Sequence, residues 1–419
     1  MEYTDVMPMI GNMDTGDEGA LRLELPVQNL PRFASVDAAV KSLRPSEPVR
    51  CMHPDRLRQA AKQFVEEFPG LTFYAAKVNP DPYVLRHIYA AGVRRFDVAS
   101  LTEVKLVRGL FPDAYLAFMH PIKSREAIRA AYFDYGVRDF SIDTFEELHK
   151  ILQETMTGAN AASDLGIHVR LSLPKMAEHD LSRKFGATPD DAAELLRNAA
   201  QAVARVGLCF HVGSQCMDPA SYSEAIRRAG EVIKASGVQL DVLDVGGGFP
   251  VNYPDMTPPP LSEYFAAISA GVKKLKLPKT CQVWGEPGRA ICSPAETLIV
   301  RVELRKGEFL HINDGGFGSL YDGAIHKLSW PVQMMRTRRK TEKKLIPFQF
   351  YGPTCDSFDF IPGPFMLPED IGEGDWIAIS QQGAYCASMR TNFNGFYSNH
   401  MVEIDPPAMN NVVRLQKKA

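Results

Sequence analysis

The chain has 419 residues, 45% hydrophobic and 23% charged, an ordinary globular composition with enough material for two or three domains. A formal net charge of −3 argues against a nucleic-acid or anionic-membrane surface. The seven cysteines are odd in number and follow no motif spacing, which favours a cytoplasmic protein. The sequence has no apolar run of about twenty residues and no signal-peptide pattern, so we expect no membrane span.

The N-terminal part carries the weakest pattern. Residues 1–20 are polar and predict a loose arm, and residues 21–47 hold short apolar pieces with several prolines. We expect the segment 21–47 to pack with a later β domain. From about residue 48 the pattern becomes regular.

Helical and strand patterns alternate between residues 48 and 290. Predicted helices span 55–68, 82–91, 102–110, 124–133, 144–155, 189–204, 219–235 and 261–275. Predicted strands span 71–76, 95–99, 114–119, 139–142, 166–171, 207–212, 240–245 and 282–285. Eight strands alternating with helices over this length favour an α/β fold of the (β/α)8 TIM-barrel type, with an open doubly wound sheet as the alternative.

After residue 290 the pattern changes to strands separated by turns. The predicted strands are 295–304, 309–312, 348–351 and 376–380, so residues 291–419 are expected to form a mostly β domain. A basic run at 336–344 is interpreted as a solvated hairpin tip, because no aromatic residues interleave its charges. We therefore assign no nucleic-acid partner, and no metal site.

Ionisable residues and glycines follow the predicted barrel strands. They are Lys77, Asp97, His120, Asp143, Arg170, His211, Ser214, Gly246, Gly247, Gly248, Glu286, Gly288 and Arg289. Active sites of such barrels lie where the strands end, so we expect these residues on one rim.

Two groups on this rim point to a phosphorylated ligand. Backbone N–H groups of Gly246, Gly247 and Gly248 can cradle an anion, and the fork of Arg289 suits a phosphate, with Ser214 adding a hydroxyl. A glycine triplet taken alone is more often a tight turn. The loops after the seventh and eighth barrel strands are, however, a common phosphate site, which favours phosphate binding here.

Lys77 and Glu286 are candidates for two further contacts that an aldehyde–phosphate cofactor needs. A lysine at a strand end is usually a solvated side chain, and a carboxylate beside Arg289 is usually an ion pair. In a closed barrel the eighth strand lies beside the first, which brings Glu286 toward Lys77. A Schiff-base lysine, a phosphate cradle and a carboxylate for a ring nitrogen suit an aldehyde–phosphate cofactor, and His211 can lie against the ring.

Nine segments resemble the pyridoxal-phosphate-dependent ornithine decarboxylase group, which has the alanine-racemase-like fold (fold type III). They are FYAAKVN (73–79), FDVAS (96–100), SRKFG (182–186), HVGS (211–214), DVGGGFP (244–250), EPGR (286–289), GPTCDSFD (352–359), GAY (383–385) and NFNGF (392–396). These segments occur in family order over about residues 70 to 400.

The resemblance implies a homodimer with shared active sites and pyridoxal 5′-phosphate as cofactor. It implies that Lys77 forms the Schiff base, that Glu286 contacts the ring nitrogen and that His211 stacks on the ring. The implied phosphate ligands are Ser214, Gly246, Gly247, Gly248, Gly288, Arg289 and Tyr385. Asp97, Glu103 and Arg170 would support the lysine and the ring.

The resemblance also implies that Cys355 of the partner subunit protonates Cα after carbon dioxide leaves. A free thiol has a reference pKa of about 8.5 and is mostly protonated at neutral pH, so it can serve as a donor. Asp356 beside it would bind a distal ammonium. Taken alone, Cys355 is more often a structural cysteine and Asp356 a turn cap.

The substrate assignment rests on Asp356, Asp322, Tyr321 and Phe393. Eukaryotic members carry Tyr where this chain has Phe317, and their Tyr-Asp pair comes later than Tyr321 and Asp322 do here. We rank ornithine first and lysine second, with a less common diamino acid as a further alternative.

Two other interpretations remain open. One is a diaminopimelate decarboxylase or an amino-acid racemase on the same scaffold. Diaminopimelate decarboxylases usually carry Glu where this chain has Asp356, so Asp356 favours a substrate with a terminal amine. An inactive regulator of the antizyme-inhibitor type would have lost cofactor residues. This chain retains them.

Overall fold

The computed structural model describes residues 29–156, 162–174, 184–337 and 343–405. They fall into two compact units. The barrel unit comprises Ala61–Pro250 and Pro258–Arg289, and the β unit comprises Asn29–Ala60, Val251–Thr257 and the described residues from Ala290 onward. No helix among the described residues is long and apolar enough to cross a membrane.

Strands and helices are numbered in chain order. The strands are β1 (Arg32–Phe33), β2 (Val49–Met52), β3 (Leu71–Ala75), β4 (Arg95–Val98), β5 (Tyr115–Phe118), β6 (Asp139–Ile142), β7 (Gly166–Arg170), β8 (Arg205–Cys209), β9 (Val242–Asp244), β10 (Gln282–Gly285), β11 (Glu296–Lys306), β12 (Phe309–Ile312), β13 (Val332–Met335), β14 (Leu345–Tyr351), β15 (Phe360–Pro368), β16 (Trp376–Ser380) and β17 (Met401–Ile404). The helices are α1 (Val36–Leu43), α2 (Pro54–Glu67), α3 (Pro82–Ala90), α4 (Leu101–Leu110), α5 (Arg125–Phe133), α6 (Phe145–Glu154), α7 (Pro189–Ala202), α8 (Ala220–Ser236), α9 (Leu261–Leu275), α10 (Arg289–Cys292) and α11 (Tyr321–Ile325).

Strands β3 to β10 form a closed parallel barrel. The barrel closes where β10 pairs with β3, with Trp284 opposite Leu71 and Gly285 opposite Thr72. The predicted TIM barrel is therefore confirmed, and the open doubly wound sheet is wrong. Because all eight strands run in parallel, their carboxyl ends share one rim.

Side-chain caps start the helices directly after the strand ends. Ser100 caps α4 by accepting a hydrogen bond from the Glu103 N–H, and Thr144 caps α6 in the same way through Glu147. Such caps satisfy N–H groups that have no partner within the helix. They fix the point at which each strand turns into its helix, and so the height of the rim residues.

The opposite end of the barrel interior is filled by a polar cluster around Asp139, the first residue of β6. Its carboxylate accepts hydrogen bonds from His168 Nε2 (2.9 Å), from the Arg205 guanidinium (2.9 Å) and from the Tyr115 hydroxyl. Burial acts to raise the pKa of Asp139, but these hydrogen bonds and the nearby charges lower it overall. The Trp284 ring stacks on Phe73 at 4.2 Å within the same filled interior.

The β unit is built on one long strand. β11 pairs with β2, β12 and β16, and β12 continues through β14 to β15. The mostly β domain predicted after residue 290 is confirmed, although β13, β15 and β17 were not predicted. In its core the Phe350 and Phe365 rings stack at 4.0 Å.

Some predicted details differ from the structure. The sixth barrel strand, predicted at 207–212, is Arg205–Cys209, because the chain turns after Cys209 and His211 Nδ1 accepts a hydrogen bond from the Gly213 N–H. Helix α1 lies in a segment for which no element was predicted. The arm at 1–20, Ser182 and Arg183 of one family segment, and residues 338–342 of the basic run lie outside the described residues.

Replacing Glu296 by Ala should destabilise the β unit by about 3–5 kcal/mol, because it removes the carboxylate that pairs with the buried Arg50 guanidinium. Arg50 donates to both Glu296 oxygens at 2.8 and 2.9 Å, and both side chains are almost fully buried. Chemical denaturation followed by circular dichroism measures the change. Glu303→Ala is the control on the same strand, since the Arg301–Glu303 pair is long (3.9 Å) and half-exposed, and should cost under about 1 kcal/mol. Equal losses for the two variants would contradict the prediction.

Candidate active site

Lys77 lies just beyond the first barrel strand. β3 ends at Ala75, and Ala76–Val78 form one turn of 3₁₀ helix that carries Lys77. The turn is held by a hydrogen bond of 3.0 Å from the Tyr74 hydroxyl to the Asn79 carbonyl. The Lys77 side chain is 43% exposed, and its Nζ donates to Asp97 Oδ2 at 3.1 Å. The amine is therefore oriented yet accessible at the rim.

Two acidic residues support this lysine from the second barrel strand and its helix. Asp97 is buried in β4. Glu103 accepts a hydrogen bond from the Ala99 N–H at 2.7 Å, which fixes its carboxylate at the start of α4. Burial raises the pKa of Glu103, and repulsion from Asp97 adds to that shift. The structure thus brings Lys77, Asp97 and Glu103 together at the rim.

The glycine triplet after β9 is required by backbone packing. A Cβ on Gly246 would lie 2.1 Å from the Phe210 carbonyl oxygen, and one on Gly248 would lie 2.4 Å from the Gly213 oxygen. Gly246 and Gly248 also have φ of +68° and +108°, which side chains rarely adopt. The loop after β8 and the loop after β9 consequently pack backbone against backbone.

Ser214 and Arg289 meet at the same place. Arg289 Nε donates to Ser214 Oγ at 3.3 Å, and the Arg289 residue is buried at the start of α10. Gly288 precedes it and packs closely on the 3₁₀ turn after β3, because a Cβ there would lie 2.3 Å from a Val78 methyl carbon. A buried guanidinium, a hydroxyl and the glycine loop form an arrangement suited to a phosphate.

His211 is held in one tautomer when neutral. Its Nδ1 accepts a hydrogen bond of 2.9 Å from the Gly213 N–H, so the ring proton is on Nε2. Burial lowers the pKa of His211 well below its usual value, and the charges of Arg170 and Lys77 lower it further. A neutral imidazole can stack on an aromatic ring without adding a positive charge.

Glu286 and Asp244 form a pair of buried carboxyl groups on adjacent strand ends. The Glu286 N–H donates to the Gly246 oxygen at 2.8 Å, and Asp244 Oδ1 accepts from the Gly246 N–H at 2.8 Å. Among the described residues, Glu286 Oε1 and Asp244 Oδ2 are buried without a hydrogen-bond partner. Burial raises the pKa of Asp244 to about 6 and raises that of Glu286 well above its usual value, with repulsion from Asp244 adding to the latter.

An unpartnered buried carboxylate oxygen is costly unless a donor arrives. The protonated ring nitrogen of pyridoxal phosphate is such a donor, and the glycine loop with Ser214 and Arg289 suits its phosphate. The residues of the barrel rim therefore fit this cofactor.

Arg170 ends β7, and its guanidinium carbon lies 5.5 Å from the centroid of the Phe185 ring. The loop carrying Phe185 is tied back to the barrel, because the Gly186 N–H donates to Asp143 Oδ2 at 2.9 Å. Arg170 thus lies on the same rim as the other predicted residues.

The remaining predicted residues belong to the β unit. Cys355 is exposed, while Asp356 Oδ1 accepts a hydrogen bond from the Phe358 N–H at 2.8 Å, forming the turn cap considered above. Asp322 is buried in the first turn of α11, next to Tyr321. Tyr385 has a φ of +65°, and Phe393 begins a 3₁₀ turn with its ring 5.1 Å from that of Phe317.

Comparison with known proteins agrees with this geometry. Residues 54–293 match the family model for the pyridoxal-binding domain of pyridoxal-dependent decarboxylases. The chain belongs to this family. It is 34% identical over 334 residues to a lysine/ornithine decarboxylase from Selenomonas ruminantium, covering 78% of this chain and 81% of the relative.

Solved structures give the same result. A lysine/ornithine decarboxylase from Vibrio vulnificus, in complex with cadaverine, superposes with a TM-score of 0.75 at 31% identity, covering 89% of this chain and all of that one. An arginine decarboxylase from Paramecium bursaria Chlorella virus, bound to agmatine, gives a TM-score of 0.76 at 27% identity, covering 88% of this chain and all of that one. This chain is accordingly an amino-acid decarboxylase of fold type III, and pyridoxal phosphate is its cofactor.

Sequence reasoning assigned no role to two residues of this decarboxylase that the structure places at functional groups. Asp244 lies within the DVGGGFP segment, and its position immediately before the glycine triplet at a strand end was an available signal. Asn394 lies within NFNGF, and its contact with Cys355 depends on a turn that the sequence pattern does not reveal.

Gly247→Ala should weaken pyridoxal phosphate binding. The new Cβ would lie 2.6 Å from the Glu286 oxygen and 3.1 Å from His211 Nε2. Overpacking of this kind costs about 1–3 kcal/mol, and the upper half of that range corresponds to a roughly tenfold or greater loss of affinity. Cofactor titration followed by visible absorbance measures it. Gly372→Ala is the control, since its Cβ would meet nothing within 4 Å, and an unchanged affinity in Gly247→Ala would refute the prediction.

The cofactor-free decarboxylase should lose stability as the pH rises from about 4 to 6. The pKa of Asp244 is about 6 in the folded protein, and that of an aspartate in an unfolded chain is about 3.9. The folded state therefore keeps a proton that the unfolded state has already lost, and its stabilising effect is lost as the pH rises through the folded pKa. Denaturation midpoints across this range test the effect, and Asp244→Asn should flatten it. A profile unchanged by Asp244→Asn would contradict this assignment.

Proposed function

We propose that the protein decarboxylates a basic diamino acid, with L-ornithine as the first choice, yielding putrescine for polyamine synthesis. The observation that carries this proposal is the rim geometry. Lys77, just past the end of β3, is oriented by Asp97. Glu286, just past the end of the paired strand β10, has a buried carboxylate oxygen with no hydrogen-bond partner in the part of the chain that the structure describes. Family membership supports the reaction type, and the substrate depends on residues of the β unit.

Each rim residue has a proposed task toward the cofactor. Lys77 would hold the cofactor through its aldehyde, and Glu286 would keep a proton on the ring nitrogen. Ser214, Arg289 and the N–H groups of Gly246, Gly247 and Gly248 bind the phosphate together with Tyr385. Pyridoxal phosphate supplies the electron sink for the electron pair that remains when carbon dioxide leaves.

The neutral ring of His211 would lie against one face of the cofactor. Because the proton of His211 is on Nε2 and its Nδ1 is occupied by the Gly213 N–H, the ring has a fixed orientation. Arg170 and Asp97 complete the surroundings. Their charges are held on barrel strands, so little reorganisation accompanies the reaction.

Cys355 of the partner subunit is proposed to deliver a proton to Cα. This assignment requires a homodimer in which each β unit completes the partner's barrel site. It is supported by the exposure of Cys355 in the single chain, which leaves the thiol accessible to a site outside its own unit. The released electron pair forms the new C–H bond, and the thiolate regains its proton from solvent.

Asp356 and Asp322 are proposed to bind the distal ammonium, with Tyr321 and Phe393 lining the substrate. A buried carboxylate such as Asp322 favours a substrate that brings a positive charge. Lysine decarboxylation is the second candidate, because relatives from two bacteria are named lysine/ornithine decarboxylases. Diaminopimelate fits less well, since Asp356 is shorter than the glutamate usual in those enzymes.

An inactive binding protein of the antizyme-inhibitor type is the candidate from another class. The contacts of Lys77, His211, Glu286 and Arg289 described above support catalysis instead. Visible absorbance of bound cofactor distinguishes the two classes, because an inactive regulator would bind none after pyridoxal phosphate is added.

Carbon dioxide release from ornithine, lysine, arginine and diaminopimelate, measured in parallel, tests the substrate proposal. We expect kcat/KM to be highest for ornithine, followed by lysine. Lys77→Ala should reduce turnover roughly 10³-fold because it removes the cofactor-binding amine, whereas the exposed Lys105→Ala should have no effect. Faster turnover of diaminopimelate would refute the assigned role of Asp356, and full activity of Lys77→Ala would refute the mechanism.

A further inference from the structure

The loop that carries Cys355 is anchored on its N-terminal side by one buried carboxylate. Asp359 is 1% exposed and accepts hydrogen bonds from the Gly316 N–H (2.6 Å), the Thr354 N–H (3.1 Å) and Thr354 Oγ1 (2.7 Å). Asp359 thereby ties the loop 352–359 to the segment 313–319. The backbone at Cys355 is positioned by these contacts.

A second loop supplies a contact to Cys355 itself. Asn394 Oδ1 accepts a hydrogen bond from the Cys355 N–H at 3.2 Å and one from its Sγ–H at 3.4 Å. One amide oxygen therefore receives both donors of the same cysteine. This arrangement fixes the Cys355 side chain as well as its backbone, and it uses the hydrogen that the proposed reaction transfers.

The conformation of the second loop explains why asparagine suits this position. Asn394 has a φ of +54° and the following Gly395 a φ of +79°. Asparagine and glycine are the residues that adopt this left-handed region most readily. The turn directs the Asn394 carboxamide back to the Cys355 loop.

Both loops are anchored to the same segment. The Thr391 N–H and its hydroxyl both donate to the Phe317 oxygen at 2.9 Å, while Asp359 holds Gly316 from the other loop. Because their anchors are adjacent residues, the spacing between Asn394 and Cys355 is set by one short stretch of chain.

We propose that Asn394 is a positioning residue that acts through Cys355. By accepting the S–H hydrogen bond it holds the thiol in one rotamer. Rotation about the Cβ–Sγ bond then turns the same hydrogen from Asn394 toward Cα without moving the sulfur atom. Asn394 thus controls where the proton is delivered, an inference that rests on the proposed role of Cys355 as donor.

The first test measures the hydrogen bond without using activity. Cys355 in the full-length protein is alkylated with iodoacetamide at fixed pH, and the rate is followed by mass spectrometry of its peptide. Asn394→Gly keeps the left-handed turn but removes the acceptor, and should alkylate faster on the order of fivefold, because the hydrogen bond that holds the thiol is lost together with the one to the Cys355 N–H. Asn394→Asp places a negative charge beside the thiol and should alkylate more slowly than the wild type.

Opposite changes from one position distinguish positioning from a structural role. If Asn394 only stabilised the loop, both variants would loosen it and both would alkylate faster. That outcome, or a wild-type rate in Asn394→Gly, would overturn the proposal.

The second test measures where the proton goes. Protonation at the cofactor carbon instead of Cα gives, after hydrolysis, pyridoxamine phosphate and an amino-aldehyde in place of the diamine. Asn394→Gly should raise the fraction of these products, and Asn394→Asp, which keeps the acceptor, should raise it less. An unchanged fraction in Asn394→Gly would overturn the inference.

Cys355→Ala separates this inference from the proposed function. If Cys355→Ala leaves the product ratio unchanged, the donor role of Cys355 is wrong, and the control of proton delivery by Asn394 is overturned with it, whatever the alkylation rates. If Cys355→Ala raises the misplaced products but Asn394→Gly does not, the donor role stands and the role of Asn394 is wrong.

Discussion

The candidate site depends on one strand pairing, the closure of the barrel between β10 and β3. Without it, Lys77 and Glu286 would lie at opposite edges of an open sheet. The pairing continues beyond the strands, where the Ala75 N–H donates to the Pro287 oxygen at 3.1 Å. Its register is also enforced by packing, since a Cβ on Gly285 would lie 2.5 Å from the Phe68 ring. A one-residue slip would point the rim side chains to the wrong face.

Closure also concentrates acidic groups. Asp97, Asp244 and Glu286 share the rim, and burial with mutual repulsion raises the pKa values of Asp244 and Glu286. Lys77 offsets part of this repulsion. A cationic ring nitrogen would stabilise the ionised form of Glu286 further, while the phosphate would be bound at the glycine loop and Arg289. The two charged groups of pyridoxal phosphate, its ring nitrogen and its phosphate, would therefore each meet residues of opposite charge in the free protein.

Local patterns in the sequence predicted most of the barrel, because amphipathic helices and buried strands have characteristic spacings of apolar residues. They could not predict pairings between distant segments. β2 pairs with β11 across more than two hundred residues, and nothing in the pattern around Val49–Met52 indicates its partner. The strand β15 was likewise not predicted, because it contains prolines, which are uncommon in strands. The rim residues were predictable because strand ends are local features, once eight strands had been counted.

Contacts that depend on a single dihedral angle were beyond the sequence. The contact of Asn394 with Cys355 depends on a left-handed φ, and the pairing of Asp244 with Glu286 follows from the register of adjacent strands. Both positions lie inside segments whose family resemblance was already noted. A motif therefore indicates which segments matter, whereas the structure shows which atom of each segment carries a specific contact.

In the proposed function, substrate choice depends on how the β unit holds its acidic groups. Helix α11, which carries Tyr321 and Asp322, is firmly packed. A Cβ on Gly323 would lie 2.6 Å from the Trp330 ring and 2.8 Å from Ile361, so the helix lies directly on the core of its unit. Asp322 is buried on this packed helix, while the carboxylate of Asp356 caps a local turn. In the role proposed for Asp322, a carboxylate fixed by packing favours a distal ammonium at one distance, and ornithine and lysine differ in that distance by one methylene.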